Sequence, residues 1–364
     1  MTDALYGSTG FFRTNWPADH FRTSVHVSTA FAGALLRLAR AAGLSTVVDV
    51  GAGRGELVRS LHELAPDLEL IAVELAPPPP ELPPGVRWVD SMPYDIEALV
   101  VANEWLDNVP LDVVEVDATG TPRLVEVCPD ASERLGEPVG GDDLAWLDRW
   151  WPLTDAVPGV RAEIGRPRDE AWLELVRRLR RGIALAIDYG HFADSRPVTG
   201  SLRGYRSGRV VDPAPDGSCD LTADVAIDAV AASGDTAATG GAVLRQRDAL
   251  AALGLTGLDE GQIVRPDLSL ARSNPRAYLT ALSRAGEAAE LTDPRALGGY
   301  WWIVHTRTMD LVPELSGVAR SCRGLGEDQE GLTGMTSHSP SAGSELDHEG
   351  AATGSSVKSA GYGG

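Results

Sequence analysis

Val47-Val48-Asp49-Val50-Gly51-Ala52-Gly53-Arg54-Gly55-Glu56-Leu57 is the stretch that decides the fold. A β-branched run, Thr46–Val50, meets glycines at 51, 53 and 55, and an apolar-periodic run, Glu56–Leu64, follows. That order predicts a buried strand, a tight turn and a helix. Glycine belongs in such a turn because the backbone must reverse sharply and approach a ligand without a Cβ in the way. A helix starting there is expected to point free amide N–H groups at whatever lies above it.

Two classes of cofactor use such a turn. A nicotinamide or flavin fingerprint spaces its glycines Gly-x-Gly-x-x-Gly. Here position 56 is Glu56, a poor neighbour for a pyrophosphate. S-adenosylmethionine has no phosphate and escapes that objection. Asp49 is placed to meet its amino group or sulfonium. Glu74 ends a second predicted strand, Leu68–Leu75, where a carboxylate accepts both ribose hydroxyls, a role shared with NAD sites. Asp90 follows a third strand, Val86–Val89, within reach of an adenine amino group. The predicted cofactor set is Asp49, Gly51, Gly53, Gly55, Glu74, Asp90 and Asn103. No histidine or cysteine spacing supports a metal.

Outward from the turn, Ala98–Ala102 and Ile183–Ile187 read as further strands, and Arg168–Arg181 as a helix. Strands alternating with helices predict an α/β fold with a doubly wound, Rossmann-like parallel sheet. Residues 1–45 form an N-terminal lid segment with a helix from Val27, capped by Ser28 or Thr29. Residues 46–110 are the cofactor-binding half of the domain. Residues 111–167 are an inserted hairpin and helical subdomain, its strands Asp112–Asp117 and Arg123–Cys128 joined at Ala118-Thr119-Gly120-Thr121. Trp146, Trp150 and Trp151 are spaced for one helical face there. Residues 168–311 supply the second half, with acceptor-side loops, Gly234–Gly241 as a flexible connection and a last strand at Tyr300–Val304. Residues 312–364 are expected to be a disordered tail.

Composition narrows the function. The 364 residues are 43% hydrophobic and 23% charged, ordinary for a globular protein. No segment approaches the ~20 continuous apolar residues that cross a bilayer, and the start of the chain lacks a signal-peptide pattern. Three scattered cysteines, Cys128, Cys219 and Cys322, fit reduced thiols and a cytoplasmic protein. A net charge of −20 argues against nucleic acid and anionic membrane as partners and suits a basic, arginine-bearing protein surface. Lys358 is the single lysine, which reads as coding bias.

The fourth strand runs into Ala102-Asn103-Glu104-Trp105-Leu106-Asp107-Asn108-Val109-Pro110. Ligands of an open α/β sheet sit outside the carboxyl ends of its strands. Glu104 and Asp107, three residues apart, are expected to share a helical face, hold a guanidinium and take its proton. Asp188 and Tyr189 end the fifth strand beside the same crevice, Asp188 to orient the acceptor. The predicted catalytic set is Glu104, Asp107 and Asp188. His20 and His26 are candidate bases without a visible partner.

Several of these motifs, in order, resemble the MidA-type methyltransferases, a family that includes an arginine methyltransferase of mitochondrial complex I assembly. Phe21-Arg22-Thr23-Ser24 with Val27-Ser28 is similar to the family's N-terminal Asp-Phe-x-Thr-Ser segment. Gly51–Gly55 resembles its Gly-Pro-Gly-Arg-Gly turn, and Ala102–Pro110 its Ala-Asn-Glu-x-x-Asp-Ala-x-Pro stretch. Ile187-Asp188-Tyr189-Gly190, Gly200-Ser201-Leu202-Arg203 and Asp220-Leu221-Thr222-Ala223 match later segments, so the resemblance spans about residues 5–310. It implies an S-adenosylmethionine-dependent methyltransferase acting on a protein arginine. Ala52 replaces a proline, Asp224 stands where histidine is common, and the basic residue near Ser207 is replaced. The last two changes fall on the acceptor side, so the cofactor carries over better than the acceptor does. A small-molecule O- or N-methyltransferase, a non-catalytic assembly module and, less favoured, an NAD enzyme are the alternatives. A homodimer is compatible with all of them.

Overall fold

Thr46–Val50 forms strand β1 because its β-branched residues tolerate burial on both faces. It pairs in parallel with β2 (Glu69–Val73) on one side. β3 (Arg87–Val89) continues that side, and β4 (Ile96–Asn103) lies on the other. Successive β1 residues alternate between two apolar layers. Val47 joins Leu99, Val101 and the helices α1 (Thr29–Ala41) and α2 (Glu56–Leu64). Val48 joins Val100, Ala102, Trp172 and Val176, the last two on α3 (Arg166–Arg178). The sheet is therefore covered by helices on both faces.

The structure, a computed structural model, describes residues 1–14, 23–27, 29–128, 132–256, 258–259, 262–263 and 268–321. All of them fall in one unit, Met1–Glu327. His20, Phe21, Arg22, Ser28 and Cys322 lie outside the described residues. So does the expected tail from 322 onward, whereas its first part, 312–321, is structured: Pro313–Ser316 is helical and Arg320–Ser321 joins the sheet edge.

β5 (Leu179–Asp188) pairs in parallel with β4. β6 (Gly240–Arg245), β7 (Trp301–Arg307) and β8 (Arg320–Ser321) complete an eight-stranded sheet of order β8-β6-β7-β5-β4-β1-β2-β3. β7 runs antiparallel to both β5 and β6. The sheet is thus mixed, where an all-parallel one was expected. Strand direction was not legible because a strand buried on both faces reads as the same apolar run either way. β6 also corrects the flexible connection expected over Gly234–Gly241. Gly234 lies in α4 (Ile227–Asp235), and Gly240 and Gly241 pair with Thr306 and His305.

Between β4 and β5 the chain builds a separate antiparallel sheet, in the order Glu133–Pro138, Pro122–Val127, Asp112–Val116, Arg161–Ile164. Trp146, Leu147, Trp150 and Trp151 fill its core against Val114, Ala162 and Ile164. In the central sheet, strand order reverses between β1 and β4. The crevice outside their carboxyl ends is where an α/β sheet binds its ligand.

Candidate active site

Gly51, Gly53 and Gly55 take φ values of +73, +57 and +75, the left-handed region that glycine alone enters freely. A Cβ on Gly51 would lie 2.9 Å from Cδ1 of Trp105. The turn amides, however, are not free. Those of Gly51 and Ala52 donate to Val73 O at 2.9 and 3.2 Å, and that of Gly55 donates to Ala52 O. The Gly53 amide donates to Glu74 Oε2 and the Arg54 amide to Glu56 Oε2, each at 3.0 Å. Carboxylates thus already occupy two of the turn's amides. The turn offers a phosphate two carboxylates rather than two free amides, which adds to the case against it made from Glu56 alone.

A cavity of about 410 Å3 opens above this turn. Asp49, Gly51, Gly53, Glu74, Asp90, Asn103 and Glu104 all line it. Gly55 stands behind the wall, packed on Val58, Leu82 and Trp88, and serves the turn alone. Glu74 is fixed in place by the amides of Leu75 and Ala76 at 2.7 and 3.0 Å. Asp49 is 4% exposed, and its carboxylate has no hydrogen-bond partner among the described residues. Burial first, then Glu56 and Glu74, push its carboxyl up to about 8. Such a group is relieved by a ligand bearing positive charge. A cofactor with a sulfonium, an ammonium and a diol therefore fits the wall, and a dinucleotide does not. His26, one of the candidate bases, also lines the cavity. Its Nδ1 lies 2.9 Å from Thr23 Oγ1, and its Nε2 lies 3.4 Å from Glu56 Oε1.

The acceptor side departs from the expected helical face. Glu104 precedes the helix and takes φ +50, which is rare for a residue with a side chain. The helix is a single 3-10 turn, Leu106–Asn108, on which Asp107 is buried. Glu104 borders the cavity and Asp107 does not. Burial and then Asp107 push Glu104 up to about 8, opposed by the Asn103 side-chain amide and the Ser24 backbone amide. Burial also raises Asp107, against the Thr222 and Tyr189 hydroxyls and the cations Arg168 and Arg203. Thr222 donates to Asp107 Oδ2 at 2.6 Å and Tyr189 donates to the same oxygen. Asp107 Oδ1 is buried without a partner among the described residues.

Asp188 has a different place from the one expected. It is 1% exposed and lies off the cavity, and its Oδ2 accepts the amides of Leu106 and Asp107 at 3.1 and 3.2 Å. Its Oδ1 accepts the Tyr189 amide. It caps the turn that carries Asp107 and does not line the cavity, where contact with an acceptor was expected.

Sequence reading missed two parts of this site. Tyr6 and Phe12, from the N-terminal helices, line the cavity, and the Tyr6 hydroxyl donates to Asn108 O at 3.2 Å. Asp220 accepts from Asn108 Nδ2 at 3.0 Å and is pushed up to about 8 by burial and then by Asp107. Tyr6 has no spacing signal, and Asp220, read from sequence only as part of a matched family segment, gives none for its place here, since both reach Asn108 from over a hundred positions away.

A family described as "Putative S-adenosyl-L-methionine-dependent methyltransferase" matches residues 30–243. A superfamily member from Burkholderia thailandensis, solved with S-adenosylhomocysteine bound, has the same fold. It is 23% identical over 88% of this chain and 90% of that one, with a TM-score of 0.69. A second structure from that organism is 23% identical over 88% and 89%, with a TM-score of 0.66. No curated protein matches the chain.

Proposed function

The chain belongs to this methyltransferase family and S-adenosyl-L-methionine is its cofactor; from that premise we propose that it methylates an arginine side chain of a protein, in the manner of the MidA-type enzymes. When bound, the cofactor supplies an electrophilic methyl group on a sulfonium. The observation that supports arginine is the carboxylate pair at the cavity's inner wall, Glu104 at the border and Asp107 behind it with Oδ1 unpartnered among the described residues.

Each residue has a role in this reading. Asp49, Glu74 and Asp90 hold the cofactor's cationic, diol and amino groups, and Gly51 and Gly53 let it approach the backbone. Asn103 keeps Glu104 in place through its Nδ2, 3.3 Å from Glu104 Oε1. Glu104, held near 8, can pair with a guanidinium when ionised and accept the proton released as the new N–C bond forms. Asp107 adds negative charge behind it, and the low-dielectric wall strengthens that field. Catalysis is chiefly positioning and electrostatic stabilisation.

Radiolabelled S-adenosyl-L-methionine incubated with the protein and a lysate of the source cells tests the reading. Label in protein, recovered as methylarginine after hydrolysis, supports it. Label confined to small extractable products would replace it with the small-molecule reading.

A further inference from the structure

Arg168 sits in the first turn of α3 and is 1% exposed. Among the described residues no carboxylate forms an ion pair with it. Its guanidinium instead donates to four main-chain carbonyls. Nη2 reaches Asp107 O at 2.6 Å, Nη1 reaches Ala223 O at 3.0 Å and Asp224 O at 3.1 Å, and Nε reaches Val109 O at 3.3 Å. Two segments remote in sequence are thereby joined: the turn that follows Glu104, and the residues that follow Thr222. The Ala223 amide closes the same junction, donating to Asp107 O at 3.4 Å.

A buried guanidinium solvated only by carbonyls is costly to keep, because dipoles compensate its lost hydration incompletely. A planar fork of five donors is the one side chain that can serve four carbonyls on two segments; a lysine ammonium has three donors at a point. We infer that Arg168 is the positioning residue of the acceptor side, fixing the Leu106–Asn108 turn against residues 222–224 so that Glu104 and Asp107 keep their places. The inference rests on the methyl-transfer reading for its activity arm only.

Charge adds a second consequence. Asp107 faces Glu104 on its own segment, Asp188 from the end of β5, Tyr189 from the residue after it, and Thr222 and Asp220 from the far segment. Tyr6 faces it from the N-terminal helix, Arg203 from the strand Arg203–Arg206, and Tyr300 from the residue before β7. The cations acting on Asp107 are Arg168 and Arg203. Removing Arg168 both loosens the turn and leaves Arg203 as the remaining cation to offset the carboxylates around Asp107.

Arg168→Lys and Arg168→Met in the full chain separate the two effects. Three readouts apply: S-adenosylhomocysteine affinity by calorimetry, methyl transfer into lysate protein, and the carboxyl 13C titration of Asp107, assigned against Asp107→Asn. Arg168 does not line the cavity, so both variants are expected to bind S-adenosylhomocysteine within about twofold of wild type. Arg168→Lys is expected to lose transfer on the order of a hundredfold in kcat, as misplaced groups do. Its KM for S-adenosyl-L-methionine and its Asp107 titration should stay close to wild type. Arg168→Met should lose transfer equally and raise the Asp107 titration by about one pH unit or more.

Wild-type transfer by Arg168→Lys, or an unmoved Asp107 titration in Arg168→Met, would overturn the inference. If Arg168→Met does not fold, Arg168→Lys carries the test, its retained affinity reporting the folded state. If the wild type labels nothing, the methyl-transfer reading fails, and the titration of Asp107 alone decides the role of Arg168.

Discussion

At the scale of single residues, the cavity wall makes two sharp demands. Gly51 combines φ +73 with a virtual Cβ 2.9 Å from Trp105, so Gly51→Ala strains the backbone and displaces an indole that lines the cavity. The backbone alone costs about 1–2 kcal/mol, and S-adenosylhomocysteine affinity by calorimetry is expected to fall at least about tenfold. Gly53→Ala meets only Glu56 Oε2 at 3.4 Å and should lose less. Equal losses in the two variants would refute the contact with Trp105. Asp49 makes a demand on pH. Its native carboxyl titrates at about 8 against an ordinary 3.8, so between those values the folded state keeps a proton that the unfolded chain has released. Stability from this group is complete at low pH and falls as pH rises through that window. Asp49→Asn cannot titrate. It should melt above wild type at pH 8, with the gap closing toward pH 4, while binding S-adenosyl-L-methionine more weakly. A melting difference independent of pH would show that Asp49 does not carry the charge argued for it. These positions were legible because strand-end acids and a glycine turn follow from local periodicity. Asp188 was read as an acceptor ligand because a sequence shows the carboxylate but not the Leu106 and Asp107 amides that occupy it.

At the scale of elements, the glycines of α4 and β6 show why small residues mislead. Gly234 is buried in α4 because a Cβ there would sit 2.3 Å from Cε1 of His305. His305 is fully buried on β7, accepting from Trp172 Nε1 at 2.9 Å, with its Nε2 3.0 Å from Ala231 O. The glycine is the gap through which helix and strand close on that imidazole. From sequence it reads as a linker, since close approach across 71 positions leaves no local signature. Gly234→Ala is therefore expected to cost about 1–3 kcal/mol by overpacking and lower the melting temperature by several degrees. S-adenosylhomocysteine affinity should hold, because α4 lies off the cavity wall. A variant as stable as wild type would mean that His305 repacks freely. The same limit explains β7. Its apolar run was found, but its direction depends on the excursion through residues 246–299, which includes the helix α5 (Pro275–Thr292) that was not anticipated.

At the scale of the whole molecule, a net charge of −20 bears on the acceptor rather than on the fold. A protein presenting arginine is steered toward such a surface, and its association rate falls as salt screens the field. A small neutral acceptor feels little of this. The cavity proposed for the cofactor offers an internal control, because its carboxylates are held at close range inside the wall, where screening is weak. Methyl transfer into lysate protein, measured at limiting acceptor, is therefore expected to drop roughly tenfold between about 50 and 500 mM salt, while S-adenosylhomocysteine affinity changes far less. Transfer that ignores salt would point away from an electrostatically guided protein partner and toward a small acceptor reaching Glu104 by diffusion alone. A parallel loss of both would place the salt effect on the fold itself.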